Sequence, residues 1–272
     1  MVGKHKPVLL MRTSLAEEDE MEVARKYLPV YRLRSQIPAN SLVIGRYSVL
    51  PYYKELEEDL KTNGSQLINS AKQHHWISDL KEWYSDLKDF TFETWFNLHE
   101  IPEDGPFVLK GQTNSRKFDW NTHMFAENKR QAIEVYSRLS KDSMISEQDI
   151  YIRRYCPLVK LSEGFNGLPI SEEYRFFIMD GKVLSGAFYW SSHVDDLTSC
   201  HTPARVPQRF LDNIVQRIGD NARFVVVDIG ILQNGDPILI ELNDGQMSGL
   251  SENKVEVLYS NMKKVLNFSD NA

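Results

Sequence analysis

Two carboxylates interrupt apolar runs in VVVDIGILQNGDPILIELNDG, residues 225 to 245. Asn234-Gly235 between alternating apolar segments is a strong hairpin signal, because a type I′ turn needs positive φ at both central residues. With those two residues as the loop, Ile231 faces Ile238, Ile229 faces Ile240, and Asp228 faces Glu241 on one side of the sheet. Like charges about 5 Å apart at an effective dielectric near 20 repel by roughly 3 kcal/mol. A shared proton, an intervening arginine or lysine, or a divalent cation would each offset that cost. Asn243, on the same face as Glu241, adds a neutral oxygen and favours the cation. Asp228, Glu241 and Asn243 form an all-oxygen set suited to Mg²⁺ or Mn²⁺.

Cations that could meet phosphate lie upstream. In PFVLKGQTNSRKFDW, residues 106 to 120, Lys110 ends an apolar strand and a polar loop then carries Arg116 and Lys117. One cation at a rigid strand end and two on a loop make a clamp for phosphate groups. A second hairpin, Glu173 to Met179 and Lys182 to Trp190, turns at Asp180-Gly181. That loop sets Arg175 opposite Gly186, with room to reach across the sheet and with Glu173 on the same face to hold it. A fixed arginine suits a transferring phosphoryl group. Arg153 and Arg154 alternate on the strand IYIRRYC, so only one of them can line a cleft.

These residues need elements to position them. Pro7 to Arg12 reads as a strand, Ser14 with Glu17 and Glu18 caps a helix to about Tyr27, and Val30 to Leu33 and Leu42 to Ile44 are further strands. A helix from about Tyr52 to Lys61 completes an alternation that predicts a parallel sheet. Trp76, Leu80, Trp83 and Leu87 recur at helical spacing as a packing stripe, with His74 and His75 as surface residues before it. Pro102 to Pro106 marks a break. Beyond it come the strand Phe107 to Lys110, a loop Gly111 to Thr122, a helix from about Ala126 to Leu139, the strand Ile150 to Tyr155, the two hairpins with a helix Pro207 to Ile218 between them, and a closing helix Glu252 to Leu266. The loops Leu161 to Ser171 and Ser191 to Val206, the latter with His193, Asp195, Asp196 and His201, are candidate substrate loops.

The 272 residues can bury a full core in two or three modules around one cleft. With 42% hydrophobic and 26% charged residues the chain reads as soluble and globular, and a net charge of -6 argues against a nucleic-acid partner. Two cysteines, Cys156 and Cys200, make no disulfide framework, so a cytoplasmic setting is expected. No segment reaches the roughly 20 apolar residues of a membrane span, and the apolar run in Met1 to Arg12 is too short for a signal peptide. There is no Walker A loop, no Gly-x-Gly-x-x-Gly after a strand, no His-Glu-x-x-His and no Cys-x-x-Cys.

In their order, VLKGQTNSRK, IYIRRYC, EEYRFFIMDGKV and VVVDIGILQNGDPILIELND resemble the motifs of the ATP-grasp superfamily, over roughly Phe107 to Leu266. The chain looks closest to a small clade of ATP-grasp ligases from bacteria and phages, and is more distantly similar to the eukaryotic ATP-grasp chaperone that assembles a translation initiation factor. The resemblance implies an α/β (α+β) fold with two lobes around a nucleotide cleft. A small α/β domain (1–97) would precede an ATP-grasp domain (98–272), with a small lobe at 98–149 and a large lobe at 150–272. Adenine would lie against the linker strand at Arg153, Arg154, Tyr155 and Cys156. Lys110 and Lys117 would meet the phosphates, Asp228, Glu241 and Asn243 would hold Mg²⁺, and Glu173 and Arg175 would complete the nucleotide site. Lys110 and Arg175 would be the catalytic cations. The implied reaction turns a carboxylate into an acylphosphate that an amine attacks, releasing ADP, with substrates that include peptides or proteins. The alternative is an assembly or regulatory protein that binds ATP without turnover. One departure stands out: Gly111 to Thr122 lacks the glycine-rich character of the family's phosphate loop.

Overall fold

The computed structural model describes residues 5–12, 18–190 and 203–267. The chain opens with a four-stranded parallel sheet of order β2-β1-β3-β4, built from β1 (Lys6–Met11), β2 (Val30–Tyr31), β3 (Ser41–Arg46) and β4 (Gln66–Leu67). All of β3 is buried and β1 is buried from its second residue, which explains apolar runs without alternation. Between these strands run α1 (Glu18–Ala24) and α2 (Tyr53–Lys61), and α2 buries Tyr53, Leu56 and Leu60 at helical spacing. The expected cap at Ser14 and Glu17 lies outside the described residues.

The Trp76 to Leu87 stripe falls on two helices, α3 (Ala71–Ser78) and α4 (Leu80–Leu87). Asp79 separates them with an extended backbone, and its carboxylate accepts a hydrogen bond from Lys81 N at 3.0 Å. Capping of α4 therefore competes with continuation of α3 and wins.

A second sheet has the order β5-β8-β6-β7 and is antiparallel throughout: β5 (Thr94–Trp95), β6 (Asp104–Gly111), β7 (Phe125–Asn128) and β8 (Ile150–Arg154). Helix α5 (Lys129–Leu139) covers it, packing Ala132, Val135 and Leu139 among Phe107, Leu109 and Ile152. Its start is three residues later than expected because Phe125 to Asn128 pair with β6. The loop after β6 contains a 3₁₀ turn, Lys117–Asp119, and a π turn, Trp120–Met124.

After β8 comes a short hairpin, β9 (Lys160–Glu163) and β10 (Pro169–Ser171), in a segment expected to be a loop. The third sheet, of order β12-β11-β13-β14, joins β11 (Glu173–Met179), β12 (Lys182–Phe188), β13 (Phe224–Ile231) and β14 (Pro237–Asp244). Tyr174, Phe176, Val225, Val227 and Ile229 on one face meet α4 and α6 (Gln208–Ile218). On the other, Phe177, Phe224 and Val226 meet Leu9, Met11 and Ile44 of the first sheet and Leu258, Tyr259 and Met262 of α7 (Val255–Val265). Two-sided cover makes every residue of β11 and β13 buried. Helix α7 begins after Asn253, whose side-chain amide donates to Leu250 O and to Arg175 O.

Both hairpins depart from the expected register. Asp180 and Gly181 have positive φ, +46° and +73°, as a type I′ turn requires. A bulge at Phe177 and Ile178 then moves Arg175 opposite Ala187 instead of Gly186. Gly186 faces Phe176, whose ring lies 2.5 Å from where a Cβ would stand. In the last hairpin only Gly235 has positive φ (+91°). Asn234 is held by its own side chain, which accepts from Asp236 N at 3.0 Å and donates to Asp236 Oδ2 at 2.8 Å. The loop is therefore longer than two residues, which pairs Ile231 with Pro237 and Ile229 with Leu239. A bulge beyond Ile229 restores the pairing of Asp228 with Glu241. Among the described residues no helix is long and apolar enough to cross a membrane.

Candidate functional site

Asp228, Glu241 and Asn243 come together at the cleft end of β13 and β14. Asn243 Nδ2 donates to Asp228 Oδ2 at 3.1 Å and to Glu241 Oε1 at 3.3 Å. Arg175 holds Asp228 through two parallel bonds, Nε to Oδ1 and Nη2 to Oδ2, both 2.8 Å. Lys110 Nζ donates to Glu241 Oε2 at 3.1 Å. Each carboxylate thus has a cation of its own, which offsets their mutual repulsion. Burial alone would push Glu241 up, but Lys110, then Lys117 and Arg175, hold it well below the usual carboxylate range. Burial also raises Asp228, against the pull of Arg175.

The partner of Arg175 is Asp228, directly opposite it in the β11 to β13 pairing, and not Glu173 as the sequence suggested. Its third nitrogen, Nη1, donates to Gly249 O at 3.0 Å, and the guanidinium lies 4.7 Å over the Tyr189 ring. Glu173 is buried beside Lys117, and burial pushes it up to about 7 although Lys117 acts in the opposite sense.

The loop cations part company. Lys117 turns inward, donates to Tyr189 Oη at 3.1 Å and sits over the Tyr189 and Trp190 rings. Arg116 turns away to Asp142, which accepts from both Nε and Nη2. Only Lys117 therefore reaches the site. The strand arginines also separate. Arg153, 6% exposed, donates to Ile240 O at 2.7 Å and to Thr91 Oγ1 at 2.6 Å and lines the cleft. Its Nε is buried without a hydrogen-bond partner, and burial pulls the group down to about 10. The Arg154 side chain instead donates to Asp104 O and pairs with Glu93.

Two cavities meet at these residues. One, of about 220 Å³, is walled by Phe92, Val108, Met124, Tyr155, Leu158 and Trp190, with Cys156 at its side. Burial pushes the Cys156 thiol up. The other, of about 1250 Å³, runs from Lys110, Arg175, Glu241 and Asn243 to Tyr53, Lys54, Lys72 and His74 of the first domain. Lys110, Ser115, Lys117, Arg153, Ile240 and Glu241 line both. An apolar slot thus opens, past a gate of cations and one carboxylate, into a polar chamber. The expected substrate residues His193, Asp195, Asp196 and His201 lie outside the described residues.

The chamber's far wall contains residues that sequence reasoning missed. His74 is buried rather than on the surface: it stacks on Tyr53 with ring centroids 4.3 Å apart, and its Nδ1 lies 3.1 Å from Asp244 Oδ2. Tyr53, Asn69 and Gln246 also bond Asp244, tying the first domain to β14. Two adjacent histidines in a helix give no signal of which one faces a neighbouring sheet. His75, Asp79 and Glu82 also cluster, but Asp79 is already engaged by Tyr151 and Gln112.

The donor set suits a hard divalent cation. Asp228, Glu241 and Asn243 offer only oxygens besides the Asn nitrogen, and an ionised carboxylate has about four lone-pair positions, more than the present hydrogen bonds use. The gate cations and the slot match the two ends of a nucleoside triphosphate, phosphates and base.

Comparison with known proteins agrees. A family model for an ATP-grasp domain, family 3 of its clade, matches residues 97–262. The fold is shared with D-cycloserine synthetase DcsG, at 12% identity and TM-score 0.62 over 96% of this chain and 99% of that one. It is also shared with D-alanine–D-alanine ligase from Bacillus anthracis, complexed with ATP, at 12% identity and TM-score 0.57 over 97% of each chain. A third similar structure is the ATP-grasp ligase PsnB complexed with minimal precursor, at 11% identity and TM-score 0.58 over 97% and 99%. No curated protein matches.

Proposed function

The chain belongs to this ATP-grasp domain family, family 3 of its clade, and from that premise we propose an ATP- and Mg²⁺-dependent ligase that activates a carboxylate as an acylphosphate and joins it to an amine. The observation that carries this reading is the junction of slot and chamber at Lys110, Lys117 and Glu241. Adenine fits the slot against Arg153, Tyr155 and Cys156. The triphosphate then passes the gate, where Lys110 and Lys117 meet its oxygens. Asp228, Glu241 and Asn243 would hold Mg²⁺ (or Mn²⁺), which when bound supplies charge neutralisation and Lewis acidity at the phosphates.

Arg175 is fixed on both sides, by Asp228 and by Gly249 O, so it stabilises transferring phosphoryl charge without reorganising. In the first step a carboxylate oxygen attacks the γ-phosphorus, the bond to the β-phosphate oxygen breaks, and ADP leaves. An amine then attacks the acyl carbon and phosphate departs. The chamber has room for both substrates. Three proteins of the same fold are a synthetase and two ligases by name, and one of them was solved with its precursor. A peptide or protein substrate is therefore included in the proposal, and the two cysteines fit a cytoplasmic setting.

The test is ADP formation by the purified protein with Mg²⁺, ATP and a mixture of the twenty amino acids and dipeptides, using ¹⁸O-labelled carboxylates. ADP together with ¹⁸O in the released phosphate is the expected result. ATP binding without ADP would overturn ligation in favour of an assembly or regulatory protein that uses the same site.

A further inference from the structure

We propose that His74 is the proton acceptor for the amine substrate, held in the required tautomer by Asp244; this rests on the ligase reading above. The dyad spans two domains, with His74 on α3 and Asp244 at the end of β14, and both residues line the chamber that contains Arg175, Glu241 and Asn243. Asp244 stands there as an acceptor. Asn69 Nδ2 and Gln246 N donate to Oδ1 at 2.9 Å each, and Tyr53 Oη donates to Oδ2 at 3.2 Å. A carboxylate so surrounded leaves one role for His74 Nδ1, 3.1 Å from Oδ2, which is to donate. The proton of the neutral ring is then on Nδ1, and Nε2 keeps its lone pair. Nε2 has no hydrogen-bond partner among the described residues. Stacking on Tyr53 and the bond to Asp244 fix the plane of the ring.

The reaction needs such a group. An amine reaches the site as R–NH₃⁺ and has no lone pair until one proton leaves. His74 Nε2 takes that proton, the nitrogen forms the C–N bond to the acyl carbon, and the C–O bond to phosphate breaks. The second proton departs with phosphate as HPO₄²⁻, and the imidazolium returns its proton to water through the open chamber. Lys54 and Lys72 are on the same wall, exposed and without an ion pair among the described residues. They disfavour an ammonium and attract an anion, which matches an amine that also carries a carboxylate.

The experiment compares two nucleophiles on wild type, His74→Gln and Asp244→Asn, with Mg²⁺, ATP and the amino-acid and dipeptide mixture. Hydroxylamine is largely unprotonated at neutral pH and traps the acylphosphate without a base, whereas the amines of the mixture need one. His74→Gln should lower kcat for amine ligation by about 100-fold, the usual scale of general base catalysis. Hydroxamate formation should fall by far less, and Asp244→Asn should show the same split in weaker form. Equal loss of both products, or wild-type amine ligation in His74→Gln, would overturn the proposal. If wild type forms neither ADP nor hydroxamate, the ligase reading itself fails. An independent readout is ¹⁵N NMR of wild type at pH 8, where neutral His74 should have its proton on Nδ1; a proton on Nε2 would overturn the role without any variant.

Discussion

Asp228 and Glu241 face each other across β13 and β14, yet each is bound to a cation from a different sheet: Arg175 from the large sheet holds Asp228, and Lys110 from the small sheet holds Glu241. The first pair is deeply buried, with side chains 10% and 2% exposed. Removing one partner of a buried pair leaves an uncompensated charge and costs about 3–5 kcal/mol, whereas removing both costs far less. Asp228→Ala should therefore lower unfolding stability by about that amount. The double variant Asp228→Leu with Arg175→Met should recover most of it. Urea denaturation checks both.

Lys117 and Arg116 are neighbours with opposite outlooks, and ATP affinity should separate them. Lys117→Met should weaken ATP binding at least tenfold, which is about 1.4 kcal/mol. Arg116→Met should leave it within about twofold, because that side chain is spent on Asp142. Calorimetric titration with Mg·ATP gives the comparison.

Glu173 gives stability a pH dependence of defined sign. It ionises near the ordinary 4.5 in the unfolded chain but near 7 in the fold, where burial raises it. Between those values the native state keeps a proton that the unfolded chain has lost, so stability falls as pH rises through this window. Glu173→Gln should gain on wild type across pH 4.5 to 7 by up to about 3 kcal/mol. Denaturation midpoints at several pH values give the slope, and parallel curves for the two proteins would contradict it.

Gly186 should tolerate no side chain. A Cβ there would meet the Phe176 ring at 2.5 Å, and overpacking of this kind costs about 1–3 kcal/mol. Gly186→Ala is expected to lose that much in urea denaturation, and pairing it with Phe176→Leu should restore part of it.

Much of this site was legible because strand alternation decides which residues share a face. Asp228, Glu241 and Asn243 converge as their spacing predicts, although two local errors cancelled on the way: the turn at Asn234 is longer than two residues, and a bulge beyond Ile229 compensates. Where no second irregularity compensated, the reading failed. The bulge at Phe177 set Arg175 against Ala187, and its partner proved to be Asp228 from the neighbouring strand, a pairing that no local pattern encodes. His74 was misplaced for a related reason. Its burial depends on α3 docking against β14, some 170 positions away, and on a buried Asp244 that binds it. Lys117 and Arg116 differ only by which way a loop folds, and Asp142, 26 residues from Arg116, decides it.

The central claim is a Mg·ATP site at the junction of the two cavities, and thermal unfolding with ATP, with Mg²⁺ and with both tests it most directly, on wild type and Glu241→Gln. A ligand at about 100 times its dissociation constant adds roughly 2.7 kcal/mol of stability, enough for a clear shift. Wild type should be stabilised strongly only by the combination, EDTA should abolish the gain, and Glu241→Gln should lack it. An unchanged melting temperature under all three conditions, or an equal shift in the variant, would contradict the assignment of Asp228, Glu241 and Asn243 to the metal and of the gate to the phosphates.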